Sequence, residues 1–110
     1  MSPGSRRALF FVAGIGTLLP VSTSAAAIPH SYTVVIDKMK FGPMPTQLRK
    51  GDAIIWINRD FLRHSATAAD HRFDVDLKPG ASAKTILTKS GAIGFVCRYH
   101  PGMRGTLVIK

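Results

Sequence analysis

The sequence predicts an all-β fold, an antiparallel β-sandwich in a single domain, and three observations support this. Short runs rich in β-branched and aromatic residues recur between residues 32 and 109. Gly-Pro, Pro-Gly and Ser-Gly turn signals separate these runs at fairly regular spacing, as in sandwiches. Beyond the N-terminal segment, no stretch shows a sustained helical period. The chain has 110 residues, which suits one domain.

The first half of the predicted sandwich contains three strand candidates. Alternation over residues 32–36 predicts a strand, which we expect to continue through residues 38–41 until Gly42-Pro43 breaks it. Residues 46–49 form a short candidate before the turn at Lys50-Gly51-Asp52. The run that follows, residues 53–57, contains Trp56 and β-branched neighbours, and it predicts a buried strand.

The second half supplies the remaining strands. A polar loop over residues 58–63 leads to His64, where a strand through residue 68 is expected. Phe73, Val75 and Leu77 alternate with two aspartates, which is typical of a half-buried strand. We expect Asp74 and Asp76 to be solvated, like Asp52 and Asp60. Further strands are predicted over residues 83–87, 93–96 and 105–109.

Residues 1–27 have the pattern of a secretory signal peptide. Arg6 and Arg7 precede an apolar run over residues 9–19, and small residues end at Ala27. A membrane anchor is the alternative, but the run is only half of the ~20 residues that a spanning helix needs. We therefore expect cleavage after Ala27, a mature domain of residues 28–110 and a periplasmic location. The paired arginines also fit a twin-arginine signal, so the Sec and twin-arginine routes both stay open.

The most informative motif is Cys97-Arg98-Tyr99-His100-Pro101-Gly102-Met103, which places a thiolate, an imidazole and a thioether on one short loop. His64 can supply a second imidazole from a separate loop at the same end of the sandwich. One cysteine and two histidines with a weak axial methionine form the ligand set of a blue copper electron-transfer site. The sequence thus predicts one copper ion bound by His64, Cys97, His100 and Met103.

Simpler explanations exist for each of these residues taken alone. A lone buried cysteine is usually a small core residue, and a methionine often fills gaps in a core. Zinc also binds cysteine and histidine, but the methionine argues against a zinc site. No paired carboxylates and no Ser/His/Asp pattern are recognisable, and there is no second ligand cluster. The protein is therefore not expected to be an enzyme.

From about residue 32 to residue 110 the chain resembles the cupredoxins, and specifically the amicyanin-like and plastocyanin-like members. The resemblance rests on the Cys97–Met103 loop, His64, and the segments Phe41-Gly42-Pro43, Trp56-Ile57-Asn58 and Lys78-Pro79-Gly80. It implies a Greek-key sandwich and a type 1 copper site. The very short loop is similar to that of amicyanins. Amicyanins usually have Asn and Pro at two positions near the ligands, where this chain has Ser65 and Tyr99.

The net charge of +9 is spread along the chain, and no dense basic run of the kind that nucleic-acid-binding proteins show is present. We therefore expect no nucleic acid partner, no stable membrane insertion after cleavage, and a monomer. The predicted function is a one-electron carrier that exchanges electrons through His100. Pro101, Arg98 and Arg104 are expected to help dock an acidic cytochrome or dehydrogenase. The alternative is a periplasmic protein that stores or delivers copper.

Overall fold

The structure is a computed structural model that describes residue 14, residues 16–20 and residues 27–110. Most of the predicted signal peptide lies outside these residues, so its cleavage stays a prediction. Within the described residues, no helix has the length and apolar character needed to cross a bilayer.

The described chain forms eight strands: β1 Ser31–Asp37, β2 Lys40–Phe41, β3 Ala53–Asn58, β4 His64–Ala68, β5 Asp74–Leu77, β6 Ser82–Ile86, β7 Gly91–Val96 and β8 Arg104–Ile109. They build two four-stranded sheets with the orders β2-β1-β3-β6 and β5-β4-β7-β8. The predicted all-β sandwich is confirmed. Seven of these strands match the predicted segments to within a few residues, because either an alternating pattern, as in β1 and β5, or a β-branched and aromatic run, as in β3, indicates them.

One strand pair departs from the antiparallel prediction, because β1 and β3 run parallel. After β2 the chain leaves the first sheet, and Leu48 forms an isolated bridge with Ile109 at the edge of the second. The chain then returns to the first sheet as β3, which runs beside β1 in the same direction. Parallel neighbours need a long crossover connection, and the segment that visits the second sheet provides it. The short strand predicted over residues 46–49 is therefore reduced to the single bridge at Leu48.

The prediction that the first strand continues through residues 38–41 is wrong. The chain reverses at Lys38 and Met39, and β2 pairs antiparallel with the end of β1. Both turn residues have positive φ, 51° and 61°, which a two-residue hairpin of this twist requires. Because neither residue is Gly, Asn or Asp, the sequence contains no turn signal here.

Four aromatic rings form the centre of the core between the sheets. The Phe95 ring lies 4.8 Å from Phe41 and 5.2 Å from Trp56, both nearly edge to face, and Phe73 packs on Trp56 at 5.9 Å. The Trp56 indole N–H donates to Thr85 at 2.9 Å, so its polar atom is satisfied. Phe95 and Cys97 lie two residues apart, and both side chains therefore face this core.

The prediction that Asp52 is solvated is wrong, because its side chain is almost fully buried. Its carboxylate accepts hydrogen bonds from the amides of His30 and Arg49, both at 2.9 Å. These hydrogen bonds hold the pKa of Asp52 below its usual value, and the bond from His30 has the largest effect. Asp52 thus fastens the segment before β1 to the turn before β3.

We expect the metal-free protein to lose stability in acid partly through Asp52. A carboxyl with a depressed pKa stabilises the fold above its unfolded pKa of about 3.9 and loses that contribution as pH falls through the folded value. Asp52→Asn should therefore lower the free energy of unfolding at pH 7 and make it less dependent on pH below about 4. Urea unfolding between pH 7 and pH 2.5 measures this. Parallel curves for the two proteins would contradict it.

Candidate metal centre

The structure brings the four predicted ligands to one end of the sandwich. His64 is the first residue of β4, and Cys97 directly follows β7. His100 lies on the loop that leaves Cys97, and Met103 directly precedes β8. His64 and Cys97 are fully buried, Met103 is nearly so, and His100 is partly exposed.

Asp60 orients the ring of His64. The imidazole Nε2 lies 2.8 Å from Asp60 Oδ2, and both side chains are buried. The hydrogen bond from His64, followed by that from the Met39 amide, holds the pKa of Asp60 below its usual value. An ionised carboxylate can only accept, so Nε2 carries a proton, and in the neutral ring the lone pair is then on Nδ1. An outer carboxylate of this kind is the usual partner of a metal-binding histidine.

The free Nδ1 of His64 faces the sulfur of Cys97 at 3.8 Å. Two donor atoms that share one metal ion, each about 2.0 to 2.3 Å from it, lie at most about 4.3 Å apart. The observed separation is therefore compatible with a shared ion. A soft sulfur beside an imidazole also fits copper.

His100 completes the group from the loop. Its ring centroid lies 5.1 Å from that of His64, and the two planes are inclined by 58°. Within the described residues, no three His, Cys, Asp or Glu side chains already surround a single point closely enough to hold a metal ion. His64 Nδ1 and Cys97 Sγ already lie close together, and the His100 ring lies beside that of His64.

Backbone hydrogen bonds close the ligand loop. The Cys97 amide donates to the Met103 carbonyl at 2.9 Å, and the Met103 amide donates to the His100 carbonyl at 2.8 Å. These bonds continue the β7–β8 pairing into the loop. The spacing of Cys97, His100 and Met103 therefore corresponds to one tight turn at the end of a hairpin.

Ser65 connects β4 to the ligand loop. Its amide donates to Cys97 Sγ at 3.3 Å, which favours a negatively charged sulfur. Its hydroxyl accepts from the Arg98 amide at 2.8 Å. The serine therefore bonds to the loop with both its amide and its hydroxyl.

Asp74 and Asp76 are exposed, as predicted, and they also take part in ion pairs at the surface. Both pair with the Arg98 guanidinium, and Arg63 binds Asp76 through two hydrogen bonds of 2.8 and 2.7 Å. The Tyr99 hydroxyl donates to Asp76 at 2.8 Å. The Arg63 guanidinium is the main cause of the lowered pKa of Asp76.

This cluster changes the electrostatics expected beside the loop. The two aspartates neutralise Arg98 and Arg63, whose guanidinium groups lie 5.7 and 5.5 Å from the centre of the Tyr99 ring. Arg104 makes only a long hydrogen bond, 3.4 Å, to the Pro101 carbonyl, and none of the described carboxylates pairs with it. The positive charge next to the loop therefore comes from Arg104.

Sequence reasoning missed Asp60 and Thr67. The prediction that Asp60 is solvated is wrong, because its side chain is buried against His64. Loop aspartates are usually solvated, so the spacing of four residues from His64 gave no indication of this contact. Thr67 continues the polar face of β4 from Ser65, and this i, i+2 pattern could have indicated it.

Comparison with known proteins agrees with this fold. The family model described as a cupredoxin-like domain matches residues 9–109. The chain belongs to the cupredoxin-like family. Residues 9–109 include all four predicted ligands.

The curated relatives of this cupredoxin include amicyanins from different bacteria. It is 29% identical to amicyanin-alpha of Methylorubrum extorquens over 118 residues, which cover 94% of this chain and 99% of the relative. It is also 29% identical to amicyanin of Paracoccus denitrificans over 102 residues, with coverage of 86% and 78%.

Solved structures of the same fold include a reduced amicyanin variant. It is 26% identical to this cupredoxin with a TM-score of 0.63, and the match covers 73% of this chain and 82% of that one. A purple cupredoxin from Nitrosopumilus maritimus has a TM-score of 0.65 at 17% identity, with coverage of 71% and 98%. The latter likeness concerns the fold alone.

Proposed function

We propose that the protein is a periplasmic type 1 copper protein that carries single electrons between redox partners and is not an enzyme. The observation that carries the proposal is the buried pair of His64 Nδ1 and Cys97 Sγ, 3.8 Å apart, with Nε2 of the same ring occupied by Asp60. The family and the amicyanin relatives support it. One solved neighbour is the Cu(I) form of an amicyanin variant, 25% identical to this chain.

In the proposed site, His64, Cys97, His100 and Met103 would hold the ion, and copper bound there would supply a one-electron couple. Asp60 accepts a hydrogen bond from Nε2 of His64, which would leave Nδ1 of the neutral ring to bind the ion. The Ser65 amide favours the charged sulfur of Cys97. Burial of His64 and Cys97 excludes water from their side of the site.

The proposed docking surface consists of His100, Pro101, Gly102 and Phe61. His100 is the one predicted ligand with substantial exposure, so its ring edge is the entry for electrons. Phe61, on the loop before His64, is 84% exposed, which suits transient apolar contact. Arg104 lies beside this surface. An acidic partner, a cytochrome or a dehydrogenase, is therefore the class that we propose.

Cycling of the copper-loaded protein with a redox partner tests this function. Electron transfer to an acidic cytochrome should slow as salt rises, since charge steering is screened over ~8 Å at physiological ionic strength. Arg104→Glu should slow it further at low salt. Arg72→Glu is the matched control, because Arg72 pairs with Asp70 in the turn that joins β4 to β5. Stopped-flow absorption measures the rates.

The same experiment distinguishes a carrier from a copper-delivery protein. A carrier retains its copper over many turnovers, whereas a delivery protein transfers the metal to its partner. Copper analysis of the recovered proteins therefore decides between them. Transfer of the copper, together with rates that ignore both salt and Arg104→Glu, would overturn the carrier proposal.

Substitutions at Met103 should change the reduction potential and leave the copper bound. An axial thioether is a long, weak ligand that tunes the potential. Met103→Leu removes a donor to Cu(II) and should raise the potential, and Met103→Gln should lower it through a harder oxygen ligand. A redox titration followed by visible absorption measures both. Loss of copper from the Leu variant would show that Met103 is needed to hold the ion.

A further inference from the structure

A closed ring of hydrogen bonds begins and ends at Arg98, next to the predicted ligand Cys97. The Arg98 amide donates to Ser65 Oγ at 2.8 Å, and Ser65 Oγ lies 3.0 Å from Thr67 Oγ1. The Thr67 hydroxyl donates to Asp74 Oδ1 at 2.9 Å. The other oxygen of Asp74 pairs with the Arg98 guanidinium, which closes the ring.

The chemistry of the members fixes the direction of every bond. A carboxylate only accepts, so the single proton of Thr67 points to Asp74. Thr67 then accepts the proton of Ser65, and the oxygen of Ser65 is left to accept from the Arg98 amide. Ser65 is fully buried and Thr67 nearly so. Loss of the Thr67 hydroxyl therefore removes the acceptor of a buried serine, and a buried polar group without a partner is costly.

The ring acts where backbone pairing between β4 and β7 stops. The ladder between these strands has two residue pairs, Thr67 with Val96 and Ala68 with Phe95. The next residue of the chain is Cys97, and in place of ladder bonds the loop has the two hydrogen bonds to Ser65. The position of the Cys97 sulfur relative to β4 therefore depends on how Ser65 is held.

We propose that Thr67 and Asp74 are positioning residues that act through Ser65 to hold the Cys97–Arg98 segment in place. They hydrogen-bond to none of the four predicted ligands. The proposal rests on the proposed function in that the segment carries the thiolate ligand. The structural part of the proposal is that the relay of hydrogen bonds from Asp74 through Thr67 to Ser65 holds the Arg98 amide. This part applies equally to the metal-free protein.

Thr67→Val tests the relay with little change of shape. In the metal-free protein, hydrogen exchange of the Arg98 amide should rise about fivefold, the factor that corresponds to a typical net hydrogen-bond contribution of about 1 kcal/mol. In the copper-loaded protein the Cu–S stretching frequencies and the reduction potential should shift. Thr67→Ser keeps the hydroxyl and should restore the original values.

Thr85→Val is the matched control. Thr85 and Thr67 are both 6% exposed, both hydrogen-bond through the side chain, and Thr85 lies in the other sheet. This variant should lose stability while exchange of the Arg98 amide relative to its neighbours is retained. An equal rise in both variants would assign the effect to general loosening and overturn the proposal.

Asp74→Ala and Arg98→Ala separate the relay from the surface ion pair. Asp74 is partly exposed, so its replacement is not expected to prevent folding. Asp74→Ala removes both the Thr67 acceptor and the Asp74–Arg98 ion pair, whereas Arg98→Ala removes the ion pairs with Asp74 and Asp76 but keeps the Thr67 acceptor and the backbone amide. The relay requires faster exchange of the residue 98 amide in Asp74→Ala than in Arg98→Ala. Equal rates would overturn it.

The outcomes also separate this proposal from the proposed function. If the original protein binds Cu(II) without an intense visible band, the blue copper function fails, while amide exchange in the metal-free protein still decides on the relay. If the protein is blue but exchange is unchanged in Thr67→Val and Asp74→Ala, the relay alone fails.

Discussion

Cys97→Ser should abolish the intense visible absorption of the copper-loaded protein. That absorption arises from charge transfer between a thiolate and Cu(II), and a serine hydroxyl is a hard, protonated substitute that cannot provide it. Cys97 is the single cysteine of the chain, so no other thiolate can replace it. Visible spectra recorded during titration with Cu(II) measure the change. A variant that stays blue would refute the assignment of Cys97.

The control for this experiment is His71→Ala. His71 is an exposed histidine in the turn between β4 and β5, away from the predicted ligands. Its removal should leave the visible band unchanged, whereas His64→Ala should weaken or abolish it. Copper bound only to the native state also stabilises it, by ~2.7 kcal/mol at a free concentration of 100 times Kd. Cys97→Ser should therefore lose the increase in melting temperature that copper gives to the original protein.

Gly105→Ala should destabilise the fold strongly because the added methyl group has no room. A Cβ built at Gly105 would lie 2.5 Å from Phe95 Cζ and about 3 Å from two further ring atoms. Phe95 is 1% exposed and is fixed by Phe41 and Trp56 on its other sides. Overpacking of this kind costs about 1 to 3 kcal/mol. Urea unfolding of the metal-free variant measures the loss.

Gly94→Ala is the matched control for that substitution. Gly94 lies on β7 in the same sheet and pairs with Thr106, the neighbour of Gly105. A Cβ at Gly94 would meet nothing within 4 Å, and a glycine-to-alanine change in such a place is neutral or mildly stabilising. Equal stability losses in both variants would show that contact with Phe95 is not the cause.

Most of the fold follows from local patterns in the sequence. Alternating side chains predict strands such as β1 and β5, and turn residues separate them, because a half-buried strand has to place every second residue on the core. Local patterns do not predict the parallel pairing of β1 with β3. It depends on the crossing of Leu48 to the other sheet, and no local pattern encodes a contact with Ile109.

The candidate site was predictable where chemistry is tied to spacing. Cys97, His100 and Met103 share one loop, and the sequence therefore predicts that they lie close together. The groups that support them were not predictable, because their roles depend on partners far along the chain. In the sequence Asp60 looks like an ordinary loop aspartate, and its contact with His64 exists only in the folded chain. Asp74 is a solvent-facing residue in an alternating strand, and only the folded chain places Arg98 beside it.

The early end of the β4–β7 ladder has a consequence for how metal enters the protein. Backbone pairing between these strands ends at Thr67 and Val96, and beyond that point the Ser65 and Cys97 segments are joined by the two hydrogen bonds of Ser65. Segments joined in this way can separate locally while the aromatic core stays packed, since local opening costs less than global unfolding. If the proposed function holds, copper would therefore load into a chain that is already folded, and its bonds to His64 and Cys97 would join the two strands where their backbone pairing ends.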